Sequence, residues 1–246
     1  MKRKYAQPPL EEALCEFRLA KDVRWDLTVP GLLYEKIKNY FPEKEQRLVQ
    51  EVKINQEHGK FRQEVQTTEI LVFYNQNRNI LTQVGPGMVV LNVLKPYPGW
   101  EFFKQTILFV WENLLSILPI SRLEHASLRY INIINLPSYE EKLEEYLQFY
   151  PYLGPELPQE KQLFTIGVEF SYEDDTDHCK LILSTSNKKQ EKPTFMLDIE
   201  YFTYKLNSLS AESFLSWLEK AHEVIEKIFE GCITDKLRKT FKEEKG

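Results

Sequence analysis

A chain of 246 residues with 37 acidic against 32 basic side chains carries a formal charge of −5, and so lacks the overall basic excess that supplies most nucleic-acid affinity. Its 42% hydrophobic and 28% charged residues are the proportions of a folded globular protein, which excludes a disordered or fibrous chain. Nine glycines leave little material for Gly-rich phosphate loops, and three widely spaced cysteines (Cys15, Cys179, Cys232) with no CxxC pair indicate neither a disulfide framework nor a zinc ribbon.

The N-terminal segment has no signal-like apolar run, because Pro8, Pro9, Glu11 and Glu12 interrupt it. The longest apolar stretch, 106–118, contains Glu112 and Asn113 and is too short to span a bilayer. A cytoplasmic protein with reduced thiols and no membrane contact is expected.

In chain order, Ala13, Cys15, Phe17 and Leu19 alternate with Leu14, Glu16 and Arg18, which predicts a strand over 10–20 with one buried face. Pro30-Gly31 opens a short helix with Leu33, Ile37, Tyr40 and Phe41 on one side, and Pro42 ends it. Strands are expected at 48–54, 61–65, 69–74, 80–84 and 88–94, separated by His58-Gly59, the polar run 75–79 and Gly85-Pro86-Gly87. Turns this short force antiparallel pairing.

Trp100, Phe103, Ile107, Val110, Trp111, Leu114 and Leu118 then recur at three- and four-residue spacing, giving an amphipathic helix that Pro119 stops. Residues 128–136 (LRYINIINL) read as an interior strand with apolar residues on both faces. The Pro-rich stretch 137–162 is a connector with room for a short helix at 139–149. Strands follow at 163–172, 178–185 and 193–204, with 173–177 as an acidic hairpin loop. Ser210 caps a final helix whose stripe is Phe214, Trp217, Leu218, Ala221, Ile225, Ile228 and Phe229, with Gly231 at its end and a charged tail beyond.

The expected fold is α+β: antiparallel sheets with amphipathic helices packed on one side, in two similar halves. The halves are 1–136 and 163–246, joined through 137–162 into one compact unit. Strand hairpins leading into a Trp-bearing helix occur at 69–118 and again at 163–230, without residue-level identity between them.

Three spaced motifs, Pro8-Pro9-Leu10-Glu11-Glu12-Ala13, Pro96-Tyr97-Pro98-Gly99-Trp100-Glu101 and Leu128-Arg129-Tyr130-Ile131-Asn132, resemble those of a sporadically distributed, functionally uncharacterised family of bacterial and archaeal proteins of about this length. In that family PP-x-EA, PY-x-x-WE and LRY-x-N segments recur in this order, and the Trp217 helix with Phe229 and Ile233-Thr234 is similar to its C-terminal end. The chain departs from the pattern at Ile133-Ile134, where a basic residue would be expected. The resemblance implies a prokaryotic origin and no particular activity. Patchy distribution is common among genes of mobile and defence loci, including accessory genes beside CRISPR systems.

Candidate chemistry centres on polar groups inside apolar surroundings. Tyr130 and Asn132 share a face with Leu128 and Ile134, and Arg129 lies opposite with Ile131 and Ile133. These three, with Trp100 and Glu101, are either a ligand or partner site or a structural network pinning the strand to the N-terminal segment or to Glu101. No catalytic residue is indicated, since there is no G-x-S-x-G elbow and no Cys flanked by small residues with a partnered His. The histidines (His58, His125, His178, His222) are dispersed, and His178-Cys179 beside Asp174, Asp175 and Asp177 reads as an exposed acidic hairpin rather than a metal site. His222, one step off the helical stripe, reads as a rim residue. No cofactor or metal is expected. The expected role is binding another protein, such as the product of a neighbouring gene or a second copy; nucleic acid, with Arg62, Tyr74, Arg78, Lys188, Lys189 and Lys192 as contacts, is the alternative, and an unrecognised hydrolase a more distant one.

Overall fold

The computed structural model describes residues 3–57, 60–159, 163–186, 191–206 and 209–243, with the backbone alone for 50–57 and 60–66. In chain order the elements are β1 (Leu10–Leu19), α1 (Val29–Ile37), β2 (Glu43–Glu57), β3 (Lys60–Tyr74), β4 (Ile80–Gly85), β5 (Met88–Leu94), α2 (Trp100–Leu115), β6 (Arg122–Asn135), α3 (Leu143–Tyr146), β7 (Thr165–Tyr172), β8 (Asp177–Thr185), β9 (Thr194–Thr203), β10 (Leu209–Ser210), α4 (Phe214–Cys232) and α5 (Asp235–Thr240). The expected turn at His58-Gly59 and most of the charge run 186–192, including Lys188 and Lys189, lie outside the described residues.

Nine strands form a continuous sheet in the order β2-β3-β4-β5-β1-β6-β9-β8-β7, with β10 added on β6, and all its pairings are antiparallel. Where separate sheets were expected, one sheet stands, and its middle is β1, the first strand of the chain. The meander β2–β5 lies on one side of β1, and β6, β9, β8 and β7 on the other. This placement follows from alternation. Ala13, Cys15 and Phe17 of β1 are fully buried, and their register partners Tyr130, Leu128 and Ala126 on β6 and Val93, Leu91 and Val89 on β5 are buried too. A strand buried on one face and hydrogen-bonded along both edges can only sit inside a sheet.

The same face meets both long helices. Phe17 makes edge-on contacts with Trp111 of α2 and Phe214 of α4, with ring centroids 5.2 and 5.8 Å apart. Phe103, Thr106, Ile107, Val110, Trp111 and Leu114 form the buried stripe of α2. In α4 the stripe is Phe214, Trp217, Leu218, Ala221, His222 and Ile225. Each fully buried Leu, Ile or Phe in this layer contributes roughly 1.5–3 kcal/mol of transfer free energy.

Several boundaries differ from expectation for local reasons. The strands expected at 61–65 and 69–74 are one strand, β3, because Gln66-Thr67-Thr68 contains no breaker and two β-branched residues. α2 ends at Leu115, three residues before Leu118. Ser210 belongs to β10, and its Oγ accepts from the Ser213 backbone N–H, so α4 starts after Ser213. Gly231 lies inside the last turn of α4 rather than beyond it. Among its described residues the connector holds only the single turn α3, which is tied to the far end of the chain where Gln148 N–H donates to the Cys232 carbonyl at 2.8 Å. No helix among the described residues is long and apolar enough to cross a membrane.

Candidate functional site

β6 delivers its polar side chains alternately to two faces. On the helix-facing side, the Tyr130 hydroxyl is 3.1 Å from the Tyr97 hydroxyl and 3.1 Å from Nδ1 of His222. The other ring nitrogen of His222 lies 3.2 Å from the Glu226 carboxylate, one helical turn on. Trp100 stacks flat on the imidazole, with centroids 3.9 Å apart and planes 12° from parallel, and its Nε1 donates to Glu219 at 3.1 Å. Lys104 donates to the same Glu219 carboxylate at 2.7 Å and pairs with Glu101 at 2.7 Å. A hydrogen-bonded series thus runs from Tyr97 through Tyr130 and His222 to Glu226 at the surface.

The opposite face carries Arg129. Its Nε and Nη2 donate to the two carboxylate oxygens of Asp198 on β9 at 2.8 and 2.6 Å, a bidentate pair in which Asp198 is only 5% exposed. The bonds to Asp198 push the guanidinium still further above its ordinary value. Beside it, Gln83 donates to Asn92 and Asn92 to Glu12, at 2.9 and 2.7 Å, so a polar row crosses β4, β5 and β1 on this face.

The five expected residues therefore separate. Tyr130 and Trp100 come together, through His222. Asn132 shares their side of β6 but is turned to the β9 backbone, donating to the Leu197 carbonyl at 3.3 Å. Glu101 is exposed and reaches the cluster only through Lys104. Arg129 is on the other face altogether. His222, expected at the rim, is 3% exposed: the i, i+4 step from Leu218 carries it into the layer beneath Trp100. Sequence reading gave no role to Tyr97, Asp198, Glu219 or Glu226; of these Asp198 had a local signal, as an acid flanked by Leu197 and Ile199 in a strand whose other acid is Glu200.

Chemically, a phenol, an imidazole and a carboxylate in series have the order of a nucleophile, a base and the group that orients it. Their environment opposes that use. Burial, with the Tyr97 hydroxyl beside it, holds the Tyr130 phenol well above its ordinary range, and burial raises Tyr97 as well. Burial pushes Glu219 up, but the bonds from Lys104 and Trp100 outweigh it and hold the carboxyl below its usual range, fixing it as an acceptor. The thiols Cys179 and Cys232, both buried, are pushed up to about 12 by desolvation, and Cys15 further still, so none is a ready nucleophile. Two surface cavities, of about 350 and 310 Å³, are lined by residues such as Asn39, Asn77 and Phe102 in one and Gly167, Lys180 and Ile182 in the other; neither touches Tyr130, His222, Trp100 or Arg129. Among the described residues, no three His, Cys, Asp or Glu side chains converge as metal ligands would. No family model matches the chain, and no curated protein is significantly similar to it.

Proposed function

We propose that this chain is a non-enzymatic binding protein that engages another protein through strands its own sheet leaves uncovered. In this reading 1–246 is one α+β unit, with α2 and α4 on one face of the sheet holding it rigid and the strand edges left to bind. The Tyr130–His222–Trp100 cluster and the Arg129–Asp198 pair are then structural, each joining elements distant in sequence.

The observation that carries the reading is the hairpin β2–β3. Its strands pair with each other from Glu43–Tyr74 to Glu57–Lys60, yet β4 pairs only with Leu71–Tyr74. The rest, roughly 30 Å at the rise of a strand, extends as a two-stranded arm with no third strand against it among the described residues. A two-stranded ladder is marginally stable alone in water, and an unpaired strand edge is a template for another chain. At the arm's root the apolar side chain of Leu48 is 72% exposed. The family resemblance supports looking first among the products of adjacent genes, including those of CRISPR-type loci.

The test is capture from a lysate of the native host with the full chain and with a variant whose residues 50–67 are replaced by Asn-Gly, closing the hairpin at the Val49–Thr68 pair. The expected result is a protein held at fixed stoichiometry by the full chain and released from the shortened one, with both melting at similar temperatures. Equal retention by both, or recovery of nucleic acid alone with affinity falling steeply with salt, overturns the reading.

A further inference from the structure

The opposite edge of the sheet is β7, and it has a feature that the arm does not share. Thr185 N–H donates to the Phe164 carbonyl at 3.1 Å, and the pairing continues from Thr165–Ser184 to Tyr172–Asp177. In an antiparallel ladder the bonding direction alternates, so residues 164, 166, 168, 170 and 172 direct their backbone groups at β8. Thr165, Gly167, Glu169 and Ser171 therefore direct theirs outward, at an edge with no further strand against it among the described residues.

The side chains along this edge read nearly the same in both directions about Val168. On one face stand Phe164, Ile166, Val168, Phe170 and Tyr172; on the other, Thr165, Gly167, Glu169 and Ser171. Val168 and Phe170 are 40% and 42% exposed, which is unusual for apolar residues on a long strand. A second copy laid antiparallel with Val168 on the two-fold sets Val168 against Val168, Ile166 against Phe170 and Phe164 against Tyr172. On the other face Thr165 meets Ser171, and Glu169 meets Gly167. The outward N–H and C=O groups of both copies then face one another in register. A register centred on Glu169 would oppose two carboxylates, which costs stability.

The cavity of about 310 Å³ completes the match. It lies over Gly167, where the missing side chain leaves a notch, and Lys180 forms part of its wall. In the register centred on Val168 the second copy's Glu169 stands opposite Gly167, and its carboxylate, which lies 2.5 Å from Nδ1 of its own His178, exchanges that contact for the notch and its cation. We propose that the chain forms a two-fold symmetric dimer by antiparallel pairing of β7 with β7 of a second copy, centred on Val168, joining two sheets into one. The dimer uses the edge opposite the arm and stands or falls separately from the arm's role.

The test is sedimentation of the full chain over a concentration series, with three variants. The proposal expects a concentration-dependent dimer. Val168→Cys should form a disulfide-linked dimer under mild oxidation, because a pair on the two-fold has Cα atoms within bridging distance. Gly167→Cys should not, since each new thiol faces Glu169; the native thiols, all buried, serve as a silent background. Gly167→Glu fills the notch and opposes Glu169, so the dimer should weaken about tenfold. A Cβ there meets nothing nearer than 3.5 Å, so the fold accommodates the substitution. A chain that stays monomeric to its solubility limit, a dimer indifferent to Gly167→Glu, or Gly167→Cys linking as readily as Val168→Cys overturns the proposal.

Discussion

On the even-numbered side of β6, Tyr130 is locked between Tyr97 and His222 with Trp100 beyond them, whereas on the odd-numbered side Arg129 grips Asp198 yet keeps 37% of its own side chain in solvent. Neighbouring residues of one strand thus belong to different environments. The first joins α2, α4 and the sheet by packing with a thread of hydrogen bonds. The second adds a charged, bidentate clasp to the backbone ladder between β6 and β9, on the face that carries the polar row from Gln83 to Glu12. Polar residues clustered in sequence within a strand are not clustered in space, and alternation decides which of them can act together.

Substitutions should separate the two sides. Tyr130→Ala, which removes a buried ring and orphans two partners, should lower stability by about 3–5 kcal/mol in denaturant melts. A loss under about 1 kcal/mol would mean that the helix-facing cluster does not hold the layers together. Arg129→Met should cost less, about 1–3 kcal/mol, since the half-exposed arginine is lost but Asp198 is left buried without its cation. Adding Asp198→Leu should recover most of that loss; if it deepens instead, the pair is not an isolated clasp. Trp100→Phe keeps a ring on His222 but removes the bond to Glu219, and about 1 kcal/mol is expected.

The smallest effect contrasts two buried acids. Asp198 has an arginine; Asp177, on the helix-facing side, accepts from the Tyr201 hydroxyl at 3.0 Å, and burial raises its pKa. Folding therefore favours protonated Asp177, so its contribution is greatest in acid and is lost as pH rises above the ordinary carboxylate range. Asp177→Asn should raise the melting temperature by about 1–3 °C at pH 7, and this gain should vanish near pH 4. A gain independent of pH would assign the effect to something other than ionisation.

Much of the frame was legible in the chain. The stripes of α2 and α4 and the alternation in β1 are local patterns, and those elements formed within a few residues of where the patterns lay, whereas β6 begins at Arg122, six residues before the apolar run expected to form it. The single sheet was not legible, because nothing local says that β1 pairs with both β5 and β6, whose paired residues lie 70 or more positions away. His222 was misplaced for a similar reason: its burial comes from Trp100, over a hundred residues earlier, closing on it. Glu101 shares the Trp100 motif but points to solvent, since adjacent helical residues lie about 100° apart around the axis.

That the chain acts through its uncovered strands is tested most directly by calorimetric titration of the captured partner into the full chain and into the variant lacking 50–67. The account predicts an affinity loss of at least about a hundredfold, more than about 2.7 kcal/mol, with no comparable change in melting temperature. Equal affinity for the two chains would contradict it.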